Sequence, residues 1–574
     1  LRGGLITTII LLVGISIYVV LYFTYGKQLE NIVNCCDERE TPAKTHYDGV
    51  DYIPAKKAVL FGHHFASIAG AAPIIGPVLA MAWGWLPAIL WVWLGNIFMG
   101  AVHDFLALMA SVRYQGKSIQ FVASDLITKR TGKTFYWLVF FLLILVIAAF
   151  GAVITGMFIH DPSVASSYIF IILSALLLGF MMYRLEWNIF LSTILGILLL
   201  ILSMFLGIQL PISLDWNSWI IILFFYIIIA SSIPVNVLLQ PRDYLNSWLL
   251  YAGLIIGGVA ALFSIHELNM PAFTSFAPII SHGRPTPLWP AIVLIIACGS
   301  LSGFHSLVGS GTTSKQLEKE SDALPISYGG MLTEGFLSTV VIIAIAGFGY
   351  GLLQNAEAGL NFGNWSTKYT EAMMNHYPKA AMFTNSYAEM VRSTFLKFIP
   401  HKIITVLAGM WVASFALTTL DTTNRLARYT ISEILAPLKN RAGPIYKFLT
   451  NKWVASTIPA ALGMWLAWSK NFTMLWPSFS TANQLIASIA LLTGVIWLKK
   501  KVKTDRINIA LIPALFLWIT VTAAIIWFGI AVLPATIQEN VATGITVLVI
   551  EIIMFILNII FITDFIKNFK ANQQ

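Results

Sequence analysis

The sequence predicts an all-α polytopic membrane protein, and three observations predict it. The 574 residues are 58% hydrophobic and only 11% charged, with mean hydropathy +0.79. A soluble domain carries about 25% charged residues, so a chain this apolar needs lipid to solvate its surface. Apolar stretches near the roughly 20 residues of a spanning helix recur along the whole chain. Basic residues gather in alternate connections between those stretches.

Taken in order, about fifteen stretches qualify (range 14–17): 3–23, 58–82, 85–112, 134–158, 164–183, 187–210, 217–239, 247–266, 287–309, 328–353, 401–421, 453–469, 474–498, 508–532 and 541–565. The first lacks the short apolar core and small-residue cleavage site of a signal peptide, so it reads as a retained span. Residues 118–132 are too polar to cross and read as a surface segment. Residues 354–400, with Trp365 and Tyr369, form the longest connection and read as a lid or as a solvated loop with a short helix. Placing residues 26–57 in the cytoplasm puts 27 of the 35 Lys and Arg on that side and eight on the other. The positive-inside rule then sets the N-terminus outside and the C-terminus in the cytoplasm of a bacterial or archaeal inner membrane. The expected organisation is 1–57 as a first span and loop, 58–498 as the core, and 499–574 as accessory spans.

The net charge of +9 is explained by topology, so nucleic acid is not an expected partner. Cys35 and Cys36 are neighbours in a loop, and Cys298 lies in an apolar stretch, so no disulfide framework is expected. Cys35, Cys36, Asp37 and His46 could make a small metal site, but zinc sites usually separate their ligands by two or more residues, so a plain reduced loop is the favoured reading. The sequence holds no HExxH, GxSxG or GxxxxGK[ST], so neither an enzyme nor a built-in ATPase is expected, and no cofactor beyond a coupling ion.

Two stretches differ from the Ile/Leu/Val/Phe runs around them. Phe61–Pro77 reads FGHHFASIAGAAPIIGP, and Ala297–Thr313 reads ACGSLSGFHSLVGSGTT. Gly and Pro unwind helices, and freed backbone at membrane depth is tolerated where it lines a cavity. Paired interruptions of this kind point to a transporter binding site. In the alternating topology the two run in opposite directions, as an inverted repeat requires. Half-helix N-termini there can hold an anionic group. The candidate substrate-binding residues are His63, His64, Ser67, Gly70, Ala71, Pro73, Ser302, Gly303, His305 and Ser306. Close packing through small residues is the competing explanation.

These strings resemble the carbon starvation protein (CstA-type) family, as do GAVHDF at Gly100–Phe105, LLQPRDYLN at Leu238–Asn246, LTTLDTTNRLARY at Leu417–Tyr429 and WPSFSTANQ at Trp476–Gln484. The resemblance runs from about Asp48 to Leu492. It implies import of pyruvate or peptides, membership of the amino acid–polyamine–organocation superfamily, and a LeuT-like inverted-repeat core. His103 stands where some relatives carry glutamine, so no relay role is carried over to it.

Ionisable residues inside spans are functional candidates. Histidine changes charge near neutral pH, so His63 and His64 are the expected proton carriers, ahead of Asp421. Asp104, with Arg113 as one possible partner, and Arg242 with Asp243 are expected gate residues. Glu334 is a weaker gate or proton candidate. Asn483 and Gln484 read as cavity lining or packing. The LeuT-like resemblance implies a possible sodium site at Ala69, Ala72, Ser414 and Thr418, because hydroxyls on the third helix of the second repeat suit a hard cation.

The function expected from all this is secondary active symport of pyruvate or a related small carboxylate, coupled to protons or sodium. Peptide or amino-acid transport is the alternative, and a channel is a weaker one.

Overall fold

The structure, a computed structural model, describes residues 5–48, 52–233, 237–281, 283–357, 359–377, 380–470 and 472–570. Arg2 and Lys379 of the charge count, and residues 234–236 of the 217–239 stretch, lie outside the described residues.

The chain folds into helices that we number in order. They are α1 (Ile6–Val33), α2 (Lys57–Ile68), α3 (Ala72–Ala80), α4 (Trp85–Arg113), α5 (Lys129–His160), α6 (Pro162–Tyr183), α7 (Ile189–Gln209), α8 (Trp216–Ser232), α9 (Leu239–Phe263), α10 (Leu288–Ile295) and α11 (Gly303–Gly311). After these come α12 (Glu320–Ala356), α13 (Trp365–His376), α14 (Ala380–Arg392), α15 (His401–Ile434), α16 (Lys452–Trp468), α17 (Phe472–Trp497), α18 (Asn508–Gln538) and α19 (Val541–Lys570). Among the described residues, eleven helices are long and apolar enough to cross a membrane, or twelve with the bent pair α2–α3. The protein is therefore an all-α, multi-pass membrane protein.

Local chemistry sets where long apolar runs divide. Thr128, Asp161, Asn188 and Asp215 each accept a backbone N–H at the first turn of the helix they precede, which satisfies donors that a helix start leaves open. Pro162 occupies the first position of α6, where its missing N–H costs nothing. Close approach is bought with small residues: a Cβ on Gly463 of α16 would lie 2.5 Å from the Ile147 side chain of α5.

Burial separates the helices into two classes. α5, α15 and α17 are almost wholly enclosed by protein, whereas most of α1, α7, α18 and α19 faces outward. Ile512, Ile519 and Ile526 on α18 and Ile545, Ile552, Ile559 and Ile566 on α19 are exposed at seven-residue intervals. Stripes this apolar belong against lipid, since water would not tolerate them. The outlying helices still pack on the core: Tyr25 donates to Ile509 O, and Trp289 donates to Thr520 Oγ1.

The 354–400 segment is not a solvated loop. α13 and α14 are helices with buried faces, and Trp365 and Tyr369 donate to Met81 O and Val78 O at the end of α3. The polar 118–132 segment holds a short helix, Ile119–Leu126, capped by Ser118, before α5 begins.

Candidate functional site

Two helices are broken. α2 stops at Ile68, Ala69 leaves helical geometry (ψ 74°), and α3 begins at Ala72, bent from α2 by 47°. α10 stops at Ile295 and α11 starts at Gly303, with irregular backbone between them. The two run antiparallel. Ala55, before α2, donates to Gln316 O, beyond α11, while Trp83, past α3, donates to Thr286 O, before α10. They pack closely where the second break begins: a Cβ on Gly76 of α3 would lie 2.9 Å from Ile295 O and Ile296 Cα.

Backbone freed inside a membrane must find partners, and at the second break side chains supply them. Trp476 donates to Ile295 O, Asn483 and Gln484 to Ala297 O, Asn96 to Gly299 O, and Gln484 to Leu301 O, all within 2.8–3.1 Å. Asn483 Oδ1 also accepts from Ser302 Oγ and Phe304 N. Asn483 and Gln484 are thus the clamp that holds the break open, and Asn96 completes it from α4. Gly303 is where α11 touches the α17 backbone: an added Cβ would lie 2.2 Å from Asn483 O. Asn483→Leu and Gly303→Ala are each expected to lower thermal stability in detergent. Each group that Asn483→Leu strands costs about 1–3 kcal/mol, and overpacking costs a similar amount. Unchanged melting in both variants would contradict this account of the clamp.

The clamp aims α11 at a buried charged centre. His305, on the first turn of α11, meets Asp104 Oδ2 through Nδ1 at 2.9 Å. On its other side, His305 Nε2 lies 3.4 Å from Glu334 Oε2 of α12 and 3.6 Å from Cys298 Sγ. His103 Nδ1 lies 2.7 Å from Asp104 Oδ1, and Gly299 N donates to Glu334 Oε1. All these residues are buried, none more than 5% exposed. Asp104 thus does not meet Arg113, which reaches outward to Glu320 at 2.6 and 2.8 Å. It is buried between His103 and His305. Two buried carboxylates beside an imidazole must hold protons or a cation to approach neutrality, so the arrangement can take up and release a proton. Ser306 lies beyond this centre, its hydroxyl turned back to Gly303 O.

At the first break, His64 is buried, its Nδ1 2.8 Å from Thr313 Oγ1 and its Nε2 without a hydrogen-bond partner. His63 is half-buried on another face, and Ser67 donates back to His63 O, not to a neighbour. Ala71 precedes α3, and Pro73 O accepts from Ser338 Oγ of α12. Gly70 lies against Phe150 and Thr419, with Thr419 Oγ1 3.1 Å from where a Cβ would stand.

A second buried cluster lies where α9 meets α15. Arg242 donates to Asp421, to Tyr226 OH at 2.7 Å and to Asp243 at 2.7 Å, and Tyr226 donates to Asp421. Thr418 donates to Asp243 and accepts from Asn246. Thr418 is therefore engaged toward α9, and the hydroxyl that lies against Gly70 at the first break belongs to Thr419. Ser414 Oγ and Thr419 Oγ1 are buried without hydrogen-bond partners.

The N-terminal loop is a separate knot. Cys36 N and Arg39 donate to Glu320, and Asp37 accepts from Ser321 N and Oγ. Burial, with the carboxylates of Glu320 and Glu30, pushes the Cys35 thiol up to about 12.

Sequence reasoning ranked the ionisable residues one at a time. It named His305 and Asp104 without pairing them, ranked Glu334 low, and missed Asn96, Thr419, Tyr226 and Asn246. The lone amide of Asn96 inside an apolar span was the available signal.

The family model described as "Carbon starvation protein CstA" matches residues 6–524. The chain is 32% identical to the peptide transporter CstA of Bacillus subtilis, over 97% of this chain and 96% of that one. It is 30% identical to the peptide transporter CstA of Campylobacter jejuni, covering 90% and 79%. It is 29% identical to the pyruvate/proton symporter BtsT of Escherichia coli, covering 91% and 82%. With the family model matched over most of its length, this chain belongs to the carbon starvation protein CstA family.

Proposed function

We propose that this protein is a proton-coupled importer of pyruvate or a related small carboxylate, in which Asp104, His305 and Glu334 carry the coupling proton. The observation that carries this reading is the buried centre at the second break, where one imidazole lies between two carboxylates. His64 has a hydroxyl partner but no bonded carboxylate, so the carrier role moves from the His63/His64 pair to His305. The relatives named as transporters support a transport role, and the one named as a pyruvate/proton symporter supports the ion and the solute class. In this reading the fold is a LeuT-like inverted repeat. The two antiparallel broken helices form its centre, and Arg242, Asp243 and Asp421 form the inner gate. A sodium site would need the hydroxyls of Ser414 and Thr419, which are buried without hydrogen-bond partners, in place of Thr418.

Counting α8, α16 and the broken pair α10–α11 as crossings gives about fifteen, in an inner membrane with the N-terminus outside and the C-terminus in the cytoplasm. Contacts support alternate loops sharing a face: Lys500 reaches Leu126 O, and Arg113 reaches Glu320. Single cysteines at the exposed positions Lys368 and Lys503 are expected to label from opposite sides of the membrane. Labelling from one side removes a crossing between them. The high thiol range of Cys35 keeps its own labelling slow at neutral pH.

Peptide transport remains the second reading, on the names of the relatives. Counterflow in proteoliposomes separates the two. Pyruvate is expected to exchange, and its symport with one proton moves no net charge, so the rate should ignore membrane potential. Exchange of di- or tripeptides alone, with uptake that follows potential, overturns the carboxylate assignment.

A further inference from the structure

We propose that Cys298, His305 and Glu334 form a binding site for a single divalent transition metal ion of the zinc class. Their ligand atoms lie within 4.8 Å of one another, and no other group of three such residues is found among the described residues. The spacing is that of a coordination shell. Tetrahedral zinc with ordinary bond lengths sets neighbouring N, O and S ligands about 3.4–3.6 Å apart. His305 Nε2 lies 3.6 Å from Cys298 Sγ and 3.4 Å from Glu334 Oε2.

The surroundings orient the ligands. Asp104 Oδ2 lies 2.9 Å from His305 Nδ1. With Nδ1–H donating to Asp104, the neutral imidazole carries its lone pair on Nε2, which faces the thiol and the carboxylate. This carboxylate–histidine pairing is the arrangement that supports metal-bound imidazole. Gly299 N fixes the far oxygen of Glu334, while Oε2 is buried without a hydrogen-bond partner. Thiolate, imidazole and carboxylate together suit a borderline-soft ion such as Zn2+ or Co2+ and not Mg2+ or Ca2+. Binding releases the thiol proton, plus that of Glu334 where it is protonated. The thiolate and the Glu334 carboxylate then balance the two charges of the ion. Three protein ligands leave a fourth position for water or for the carboxylate of a solute.

The metal site stands on its own geometry, but it uses the atoms assigned above to the coupling proton. Metal and proton therefore exclude one another, and zinc is expected to block transport. Two measurements keep the claims apart. Full-length protein in detergent, stripped with a chelator and titrated with Co2+, should bind one ion and show a thiolate-to-cobalt charge-transfer band in the near ultraviolet. Cys298→Ser should abolish that band, and Glu334→Gln should weaken Co2+ affinity by about 10–100-fold, while Cys35→Ser/Cys36→Ser should change neither. Metal-free melting of each variant controls for folding, and addition of Zn2+ should raise the melting temperature of the wild type and of Cys35→Ser/Cys36→Ser but not that of Cys298→Ser. No stoichiometric Co2+ binding by the wild type, or an unchanged band in Cys298→Ser, overturns the site. Stoichiometric zinc with undiminished transport upholds the site and overturns the proton assignment instead.

Discussion

Glu334→Gln is expected to abolish uphill uptake while leaving solute exchange in place. Glutamine keeps the shape of the side chain and can still accept from Gly299 N, so the second break should hold. It cannot take up or release a proton. A one-unit inward proton gradient supplies about 1.4 kcal/mol per proton, enough for about tenfold accumulation. In proteoliposomes under that gradient the wild type should approach tenfold and Glu334→Gln should stop at the outside concentration. Asp104→Asn should do the same, because His305 loses its charged partner. Tenfold accumulation by Glu334→Gln would remove this residue from the coupling path.

The second large effect is expected at Arg242 and Asp421. Both side chains are fully buried, and stranding one charge of such a pair costs about 3–5 kcal/mol. Arg242→Met and Asp421→Leu should each lower the melting temperature sharply and reduce the amount of folded protein. The double variant Arg242→Met/Asp421→Leu should recover much of that stability, since an apolar pair is often as stable as the ion pair it replaces. Its transport should stay low if the cluster is the gate that must open and close. A double variant no better than either single one would mean that Arg242 acts mainly through Tyr226 and Asp243.

The sequence foretells the helices and the two breaks because those depend on local properties. Apolar runs of spanning length and clustered Gly and Pro act through their immediate neighbours. It says much less about which polar groups meet. Asp104 and His305 are 201 residues apart, and Glu334 reaches His305 from a third helix. Only the antiparallel packing of the broken helices, and the clamp of Asn483, Gln484 and Asn96, bring them together. The same holds for Thr418 and Thr419. Helical spacing groups hydroxyls by face, but which face meets the first break is set by the packing of α15 against α9 and α5. The 354–400 segment stays open between a lid and a solvated loop in the sequence for another reason. α14 is amphipathic, and its polar residues hid a face that is buried among α9, α12 and α15.

The central claim is that a proton bound among Asp104, His305 and Glu334 drives uptake. Its most direct test is accumulation of labelled pyruvate by purified wild-type protein in proteoliposomes, with an inward proton gradient and sodium excluded from both sides. The account predicts accumulation above equilibrium that collapses when a protonophore is added. No accumulation under those conditions, with accumulation restored by an inward sodium gradient alone, would contradict it and shift the coupling site to the hydroxyls of Ser414 and Thr419.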